Sequence, residues 1–382
     1  MRIQSDRRRS PSKENCLTDV RLLDLDLCSY TESQTLYHAV ADSMRPGDAN
    51  TVILCRPRRP YVCLGRHQEL AREVDEAACR RLGLPIMRRE VGGGAVYLNR
   101  DQVFFQLVWQ PTDVPAHVQD AFEYFSRGPI DCYRRLGVTN AHFAPVNDLQ
   151  VDGRKIGGLG AASIGGAFVF VGSIIMTFDA TAAASVLRIP DEKMRDKVAK
   201  TIDAYVSSLR KELGHRVAPR MVRRELVRSF ETTLERRMVP GQLRAAERES
   251  YRRWVHKMRD REWIDDVRLD NVRQKPLRIT GHVRIGHGLT KAPGGLVRVS
   301  LVIASGEVVG ALVSGDFYAI GEVPAKLEAA LQGPADMRSL ANRLQAVWTE
   351  VEAPGVAWTD VVEAAREASG ASEPVSGIRG GR

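Results

Sequence analysis

Three short segments of this 382-residue chain carry residue types that could act on an anionic substrate. The first is Arg88-Arg89-Glu90-Val91-Gly92-Gly93-Gly94-Ala95-Val96-Tyr97. Three successive glycines let a backbone approach a ligand closely and permit positive φ. Their N–H groups can form a nest for an anion. The arginines beside them can neutralise phosphate or carboxylate. Without the arginines, the same glycines would read as a bulge at a sheet corner. The spacing is neither GxGxxG nor a P-loop, because the glycines join strand to strand and no GK[ST] follows.

The second segment is Asn147-Asp148-Leu149 followed by Val151-Asp152-Gly153-Arg154-Lys155-Ile156-Gly157-Gly158. Asp-Gly is a strong hairpin turn. It places Lys155 on a rigid strand next to glycines and ahead of the uncharged run Ile156–Phe178. The plainer reading is a lysine that protects a strand edge. The third segment is Gly65-Arg66-His67-Gln68, a polar loop at the end of the strand-like YVCL, where binding residues commonly sit.

The elements that must position these residues are legible in outline. A helix is expected through Leu36, Ala39 and Val40, with strands over Thr51–Cys55 and Tyr61–Leu64 separated by Pro57 and Pro60. A helix over Val74–Gly83 ends at its glycine, and another runs from about Val118 to Leu136. Strands are expected over Ile86–Arg88, Ala95–Leu98, Val103–Trp109, Leu149–Val151, Arg154–Ile156 and Phe168–Phe178. From Asp191 to about Asp266 the sequence turns helical and basic. Strand patterns return at Leu277–Ile279, His282–Ile285, Leu296–Ala304 and Glu307–Ser314, and a last helical part begins at Pro324. The expected fold is α+β: a large domain over 18–272 with a mixed sheet flanked by helices, then a small α+β accessory domain over 273–368. Residues 1–17 and 369–382 read as disordered tails.

Composition narrows the classes. The formal charge of +9 is concentrated in Arg7–Arg9 and in the stretch Arg188–Arg261, which favours an acidic partner or simply solvated helix faces. The six cysteines form no CxxC pair, so a zinc site is not expected and the thiols read as reduced in a cytoplasmic protein. The charged N-terminus lacks the apolar core of a signal peptide. Ile156–Phe178 is long enough to span a bilayer, but its second half has the β-branched and aromatic content of a strand. Neither nucleic acid nor membrane is therefore expected as a partner. His282 and His287 read as surface or packing residues, and Trp254 and Trp263 as helix packing.

Taken in order and spacing, the three segments resemble the lipoate–protein ligase A family, within the biotin/lipoate ligase and octanoyltransferase superfamily. The resemblance covers about residues 20–270. It continues to about 335, where Val313-Ser314-Gly315-Asp316-Phe317 looks like the GDF segment of the family's accessory domain. It implies an enzyme that activates lipoate or octanoate with ATP and Mg2+, then transfers the acyl group to a lysine of an acidic lipoyl-acceptor domain. It further implies that Lys155 contacts the substrate carboxylate and the α-phosphate. Arg88, Arg89, Gly92–Gly94, Ala95, Val96 and Tyr97 would line the acyl and adenylate site, with Gly157 and Gly158 beside the lysine. Asn147 and Asp148 would form the nucleotide and magnesium region, magnesium near Asp148. Arg66 and Gln68 would sit on a loop that closes over the ligand. The octanoyltransferases of the superfamily use a cysteine that follows the lysine, whereas every cysteine here precedes Lys155. Leu98, Asn99 and Val171 depart from positions where the family often has His-Asp and His. The alternatives are an ATP-independent acyl-transferase and a non-catalytic lipoyl-binding paralogue.

Overall fold

The computed structural model describes residues 19–188, 195–268, 283–319 and 321–370. The expected N-terminal tail, the expected boundary near residue 273, the strand expected over Leu277–Ile279 and His282 all lie outside the described residues. At the other end, Ser369 is still helical and Gly370 closes that helix with φ +68°. The rest of the expected C-terminal tail lies outside the described residues.

The chain begins with β1 (Val20–Cys28) and α1 (Tyr30–Ser43). Ser29 starts α1: its hydroxyl accepts the Glu32 N–H, and the Glu32 carboxylate accepts the Ser29 N–H in return. After β2 (Thr51–Pro57) and β3 (Tyr61–Leu64) come the short α2 (Leu70–Glu73) and α3 (Glu76–Leu82). The expected helix over Val74–Gly83 thus starts two residues later, at the Asp75 cap, and ends at Gly83 in the left-handed region at φ +63°. The strands β4 (Ile86–Arg88) and β5 (Val96–Leu98) both pair with β3, one parallel and one antiparallel. The triple-glycine stretch therefore crosses the end of β3, joining the outer strands of a three-stranded sheet.

Next come β6 (Gln102–Trp109), α4 (Val118–Arg135), β7 (His142–Ala144), β8 (Asp148–Val151), β9 (Arg154–Ile164) and β10 (Ala167–Ile175). Most of the uncharged run is therefore two antiparallel strands, and no helix among the described residues is long and apolar enough to cross a membrane. Helices α5 (Ala180–Val186), α6 (Arg195–Tyr205), α7 (Leu209–Leu213) and α8 (Pro219–Leu234) follow. A short strand not expected from the sequence, β11 (Met238–Pro240), pairs in parallel with β1, and α9 (Ala245–Arg259) and α10 (Arg261–Ile264) complete the basic region. The large sheet has eight strands in the order β11-β1-β2-β6-β10-β9-β8-β7. Phe122 and Phe125 of α4 and Phe230 of α8 pack on Phe105 and Phe170, all fully buried. Each such ring contributes about 1.5–3 kcal/mol by leaving water.

The C-terminal unit is an antiparallel sheet of β12 (Val283–Ala292), β13 (Gly295–Ala304), β14 (Glu307–Gly315) and, after α11 (Val323–Leu331), the two-residue β15 (Gly333–Pro334). It is covered by α12 (Met337–Val347) and α13 (Trp358–Ser369). The strand expected to end at Ile285 runs on to Ala292. Gly286 and Gly288 break its apolar alternation in sequence, because a side chain at either would collide with the α13 carbonyls of Ala368 and Ala364. The molecule is thus α+β, with a large helix-flanked mixed sheet and a C-terminal antiparallel sheet domain.

Candidate active site

The glycine corner is built from inside. Arg88 is fully buried, and its guanidinium donates only to backbone carbonyls: Gly65, Arg66 and Gln68 at 2.7–3.1 Å and Trp263 and Ile264 at 2.7–3.2 Å. Arg89 donates to the carbonyls of Cys63 (3.2 Å), Gly92 (2.8 Å) and Gly94 (2.9 Å). Both guanidiniums are thus bonded to the chain's own carbonyls. A loop crossing the end of a sheet leaves carbonyls without ladder partners, and a buried guanidinium must place its five N–H donors. Burial lowers the Arg88 pKa to about 10, which still leaves it charged at neutral pH. The Arg66 side chain pairs with Glu90 (3.3 Å) and Asp266 (2.8 Å), with its guanidinium over the Trp263 ring. The Gln68 side chain turns back to accept the Gly65 N–H at 3.0 Å.

Two neutral histidines complete the corner. His38 lies on the buried face of α1, and its Nε2 accepts the Glu90 N–H at 3.3 Å while Nδ1 donates to the Gln34 carbonyl. His67 stacks on Phe317 of the C-terminal domain. Burial brings both pKa values down to about 3. Gly93 has φ +88°, and a Cβ there would collide with the Tyr318 hydroxyl, so only glycine serves at this position. Ala95 and Tyr97 pack against the small cluster around Val62 and Leu64, and Val96 is exposed.

The lysine arm is different. The Asp152-Gly153 turn, with φ +46° and +74°, closes the hairpin of β8 and β9, and Lys155 is the second residue of β9. Its Nζ lies 2.6 Å from Asp148 Oδ1 and runs beside Gly158, where a Cβ would sit 3.4 Å from the ammonium. The lysine side chain keeps 30% of its exposure. Two residues farther along β9, the Cβ position of Gly160 meets Val91 and Tyr318, so this glycine-lined strand leads from the lysine to the glycine corner. Gly157 lies against the Ser173 carbonyl. The structure thus places Lys155 against Asp148 and Gly158, and Asn147 against the Tyr318 hydroxyl that lies over Gly93, while the head groups of Arg66, Arg88 and Gln68 bond to other groups of the chain.

Several neighbours were not singled out from the sequence. Tyr205 donates to Asp148 Oδ2 at 3.2 Å, and the Ser207 N–H donates to the Lys155 carbonyl at 2.8 Å. Asn147 Nδ2 donates to Tyr318 Oη at 2.9 Å, and that hydroxyl donates to the Leu159 carbonyl at 2.5 Å. A cavity of about 660 Å³ lies beside α6, walled by Asn99, Asp101, Asp179, Lys200, Asp203 and Arg210. Asp203 precedes Tyr205 by two residues on α6, which carries this wall to Asp148. Among the described residues no group of three or more His, Cys, Asp or Glu side chains could hold a metal ion on its own.

Residues 29–231 match the model of the lipoyl protein ligase A/B catalytic domain. Octanoyltransferase LipM of Kyrpidia tusciae is 28% identical over 227 residues, covering 53% of this chain and 82% of LipM. Lipoate-protein ligase LplJ of Bacillus subtilis is 24% identical over 291 residues, covering 74% of this chain and 80% of LplJ. Among solved structures, the bipartite lipoate protein ligase of Thermoplasma acidophilum, studied with its E2 lipoyl domain, matches with a TM-score of 0.60 at 26% identity. That match covers 68% of this chain and all of the other.

Proposed function

The chain belongs to the lipoyl protein ligase A/B catalytic-domain family, and we propose that it is an ATP-dependent lipoate–protein ligase. The observation that carries this reading is the Lys155 ammonium, held 2.6 Å from Asp148 on a glycine-lined strand, with every cysteine upstream of it. The described cysteines are all buried, and burial pushes the Cys63, Cys79 and Cys132 thiols up, away from the thiolate a thioester route requires.

In this reading a carboxylate oxygen of lipoate or octanoate attacks the α-phosphorus of ATP, and pyrophosphate leaves. Both reactants are anionic, so a cation between them lowers the barrier. Lys155 exchanges its contact with Asp148 for the carboxylate and the α-phosphate, a role that suits a compact ammonium on a flexible stem. The glycine-turn N–H groups and Asn147 Nδ2 supply further donors. Magnesium commonly binds through one or two carboxylates plus substrate phosphates, and Asp148 offers one such carboxylate. The acceptor lysine amine then attacks the carbonyl carbon of the acyl-adenylate and AMP leaves. The acceptor is an acidic lipoyl domain, in keeping with the chain's +9 charge.

The test is mass spectrometry of a lipoyl domain incubated with the protein and lipoate. Acyl addition to the domain is expected only when ATP is present. A second reading is favoured by the likeness to octanoyltransferase LipM: transfer from an octanoyl carrier without ATP. It predicts acylation without nucleotide and an octanoyl adduct on a cysteine of this chain, and either finding overturns the ligase reading.

A further inference from the structure

The glycine corner is covered by the protein's own C-terminal domain. Residues 315–318 lie directly on it: the Gly315 N–H donates to the His67 carbonyl at 2.9 Å, and the Phe317 carbonyl accepts from the Gly93 N–H at 3.4 Å. Tyr318 goes deeper. Its side chain is buried within the core of the large domain, edge-on to Phe122 at 5.6 Å between ring centres. Its hydroxyl sits over Gly93 and is held by Asn147 Nδ2 and the Leu159 carbonyl, and its ring edge faces Gly160. One residue thereby fills the space between the glycine turn and the Asn147 end of the lysine arm. The same segment also occupies two donors that a ligand oxygen would need, the Gly93 N–H and the Asn147 amide.

We propose that Tyr318 is a built-in competitor for the acyl-ligand site, so that a carboxylic acid reaches the glycine corner only when the 315–318 segment withdraws. The inference rests on the ligand-binding reading given under Proposed function. Its physical content is a closed and an open state of one segment. The measured affinity is the intrinsic affinity reduced by the fraction of molecules that are open. The closed state holds two hydrogen bonds through the Tyr318 hydroxyl and a buried ring. Tyr318→Phe removes the first without creating a cavity; Tyr318→Ala removes both. Withdrawal leaves Asn147 Nδ2 near the Leu159 carbonyl, 3.4 Å away, so the amide is not stranded when it turns to a ligand.

The experiment compares full-length wild type, Tyr318→Phe and Tyr318→Ala by calorimetric titration with lipoic acid and with octanoic acid. Hydrogen exchange at the Gly315 amide is followed with and without the acid. The expected result is binding about fivefold tighter in Tyr318→Phe, the equivalent of losing one net hydrogen bond from the closed state. Tyr318→Ala is expected to bind at least as tightly as Tyr318→Phe. Gly315 exchange should quicken in ligand-free Tyr318→Phe and in acid-saturated wild type. Weaker or unchanged binding in both variants overturns the proposal, as does a saturated wild type whose Gly315 amide stays protected. If no form binds either acid, the ligand reading of the corner fails. The ligand-free exchange comparison then still reports whether Tyr318 latches the segment.

Discussion

The glycine corner and the lysine arm use the same chemical device, a cation beside glycines, in opposite ways. At the corner, Arg88 and Arg89 are buried and bonded to the chain's own carbonyls, so their charge is committed to holding a loop in shape. On the arm, Lys155 is partly exposed and is held by one carboxylate that it can release. A guanidinium with fixed planar donors suits permanent bracing, whereas an ammonium on a flexible stem suits exchange between partners. The difference teaches that a cation's bonding partners, more than its proximity to a glycine loop, separate a bracing residue from one free to exchange partners.

That contrast can be broken most directly at its reactive end. Lys155→Ala is expected to lower ATP-dependent adenylate formation by at least about a hundredfold, the scale of losing a charged stabiliser of the transition state. Its unfolding free energy should change by under about 1 kcal/mol, because the ion pair is partly exposed. Pyrophosphate release and denaturant titration measure the two. Full activity in the variant would remove the lysine from the chemistry.

Arg88→Met should show the reverse pattern. It leaves the carbonyls of Gly65, Gln68 and Ile264 without their donor and is expected to cost about 3 kcal/mol of stability, read from the denaturant midpoint. A variant that stays as stable as wild type yet loses acid binding would mean that Arg88 faces the ligand after all.

The smallest expected effect concerns pH. His38 is held neutral, with its folded pKa near 3 against 6.5 for the free side chain. The unfolded chain therefore binds the extra proton first as pH falls. The stabilisation is complete above pH 6.5 and is lost progressively toward pH 3. His38→Asn should flatten the stability-versus-pH slope in that window by up to about one proton. An unchanged slope would show that the corner does not depend on a neutral histidine on the buried face of α1.

Much of the fold was legible because local chemistry enforced it. Asp152-Gly153 could only turn, Gly83 ended α3 through its left-handed φ, and the strand expected over Phe168–Phe178 formed as β10, ending at Ile175. The strand β11 was not legible. Three residues carry no periodicity, and Met238–Pro240 is a strand only because β1 lies alongside. The candidate site divided along the same line. Glycine spacing and the Asp-Gly turn pointed to the corner and to Lys155. Tyr205 and Tyr318 could not be found, since their partners Asp148 and Asn147 are 57 and 171 residues away in the chain.

Taken alone, the sequence determined which residues could turn, which could tolerate close backbone approach and which cation stood on a rigid hairpin, since these depend on φ preferences and on neighbours a few residues apart. The tertiary structure alone decided that Arg88 and Arg89 bond to main-chain carbonyls, that Asp148, itself bonded by Tyr205, holds Lys155, and that a tyrosine from the C-terminal domain closes over the triple glycine. Each of these is a matter of which distant group satisfies a donor or fills a space once the chain is compact, and no local pattern of residue types encodes that.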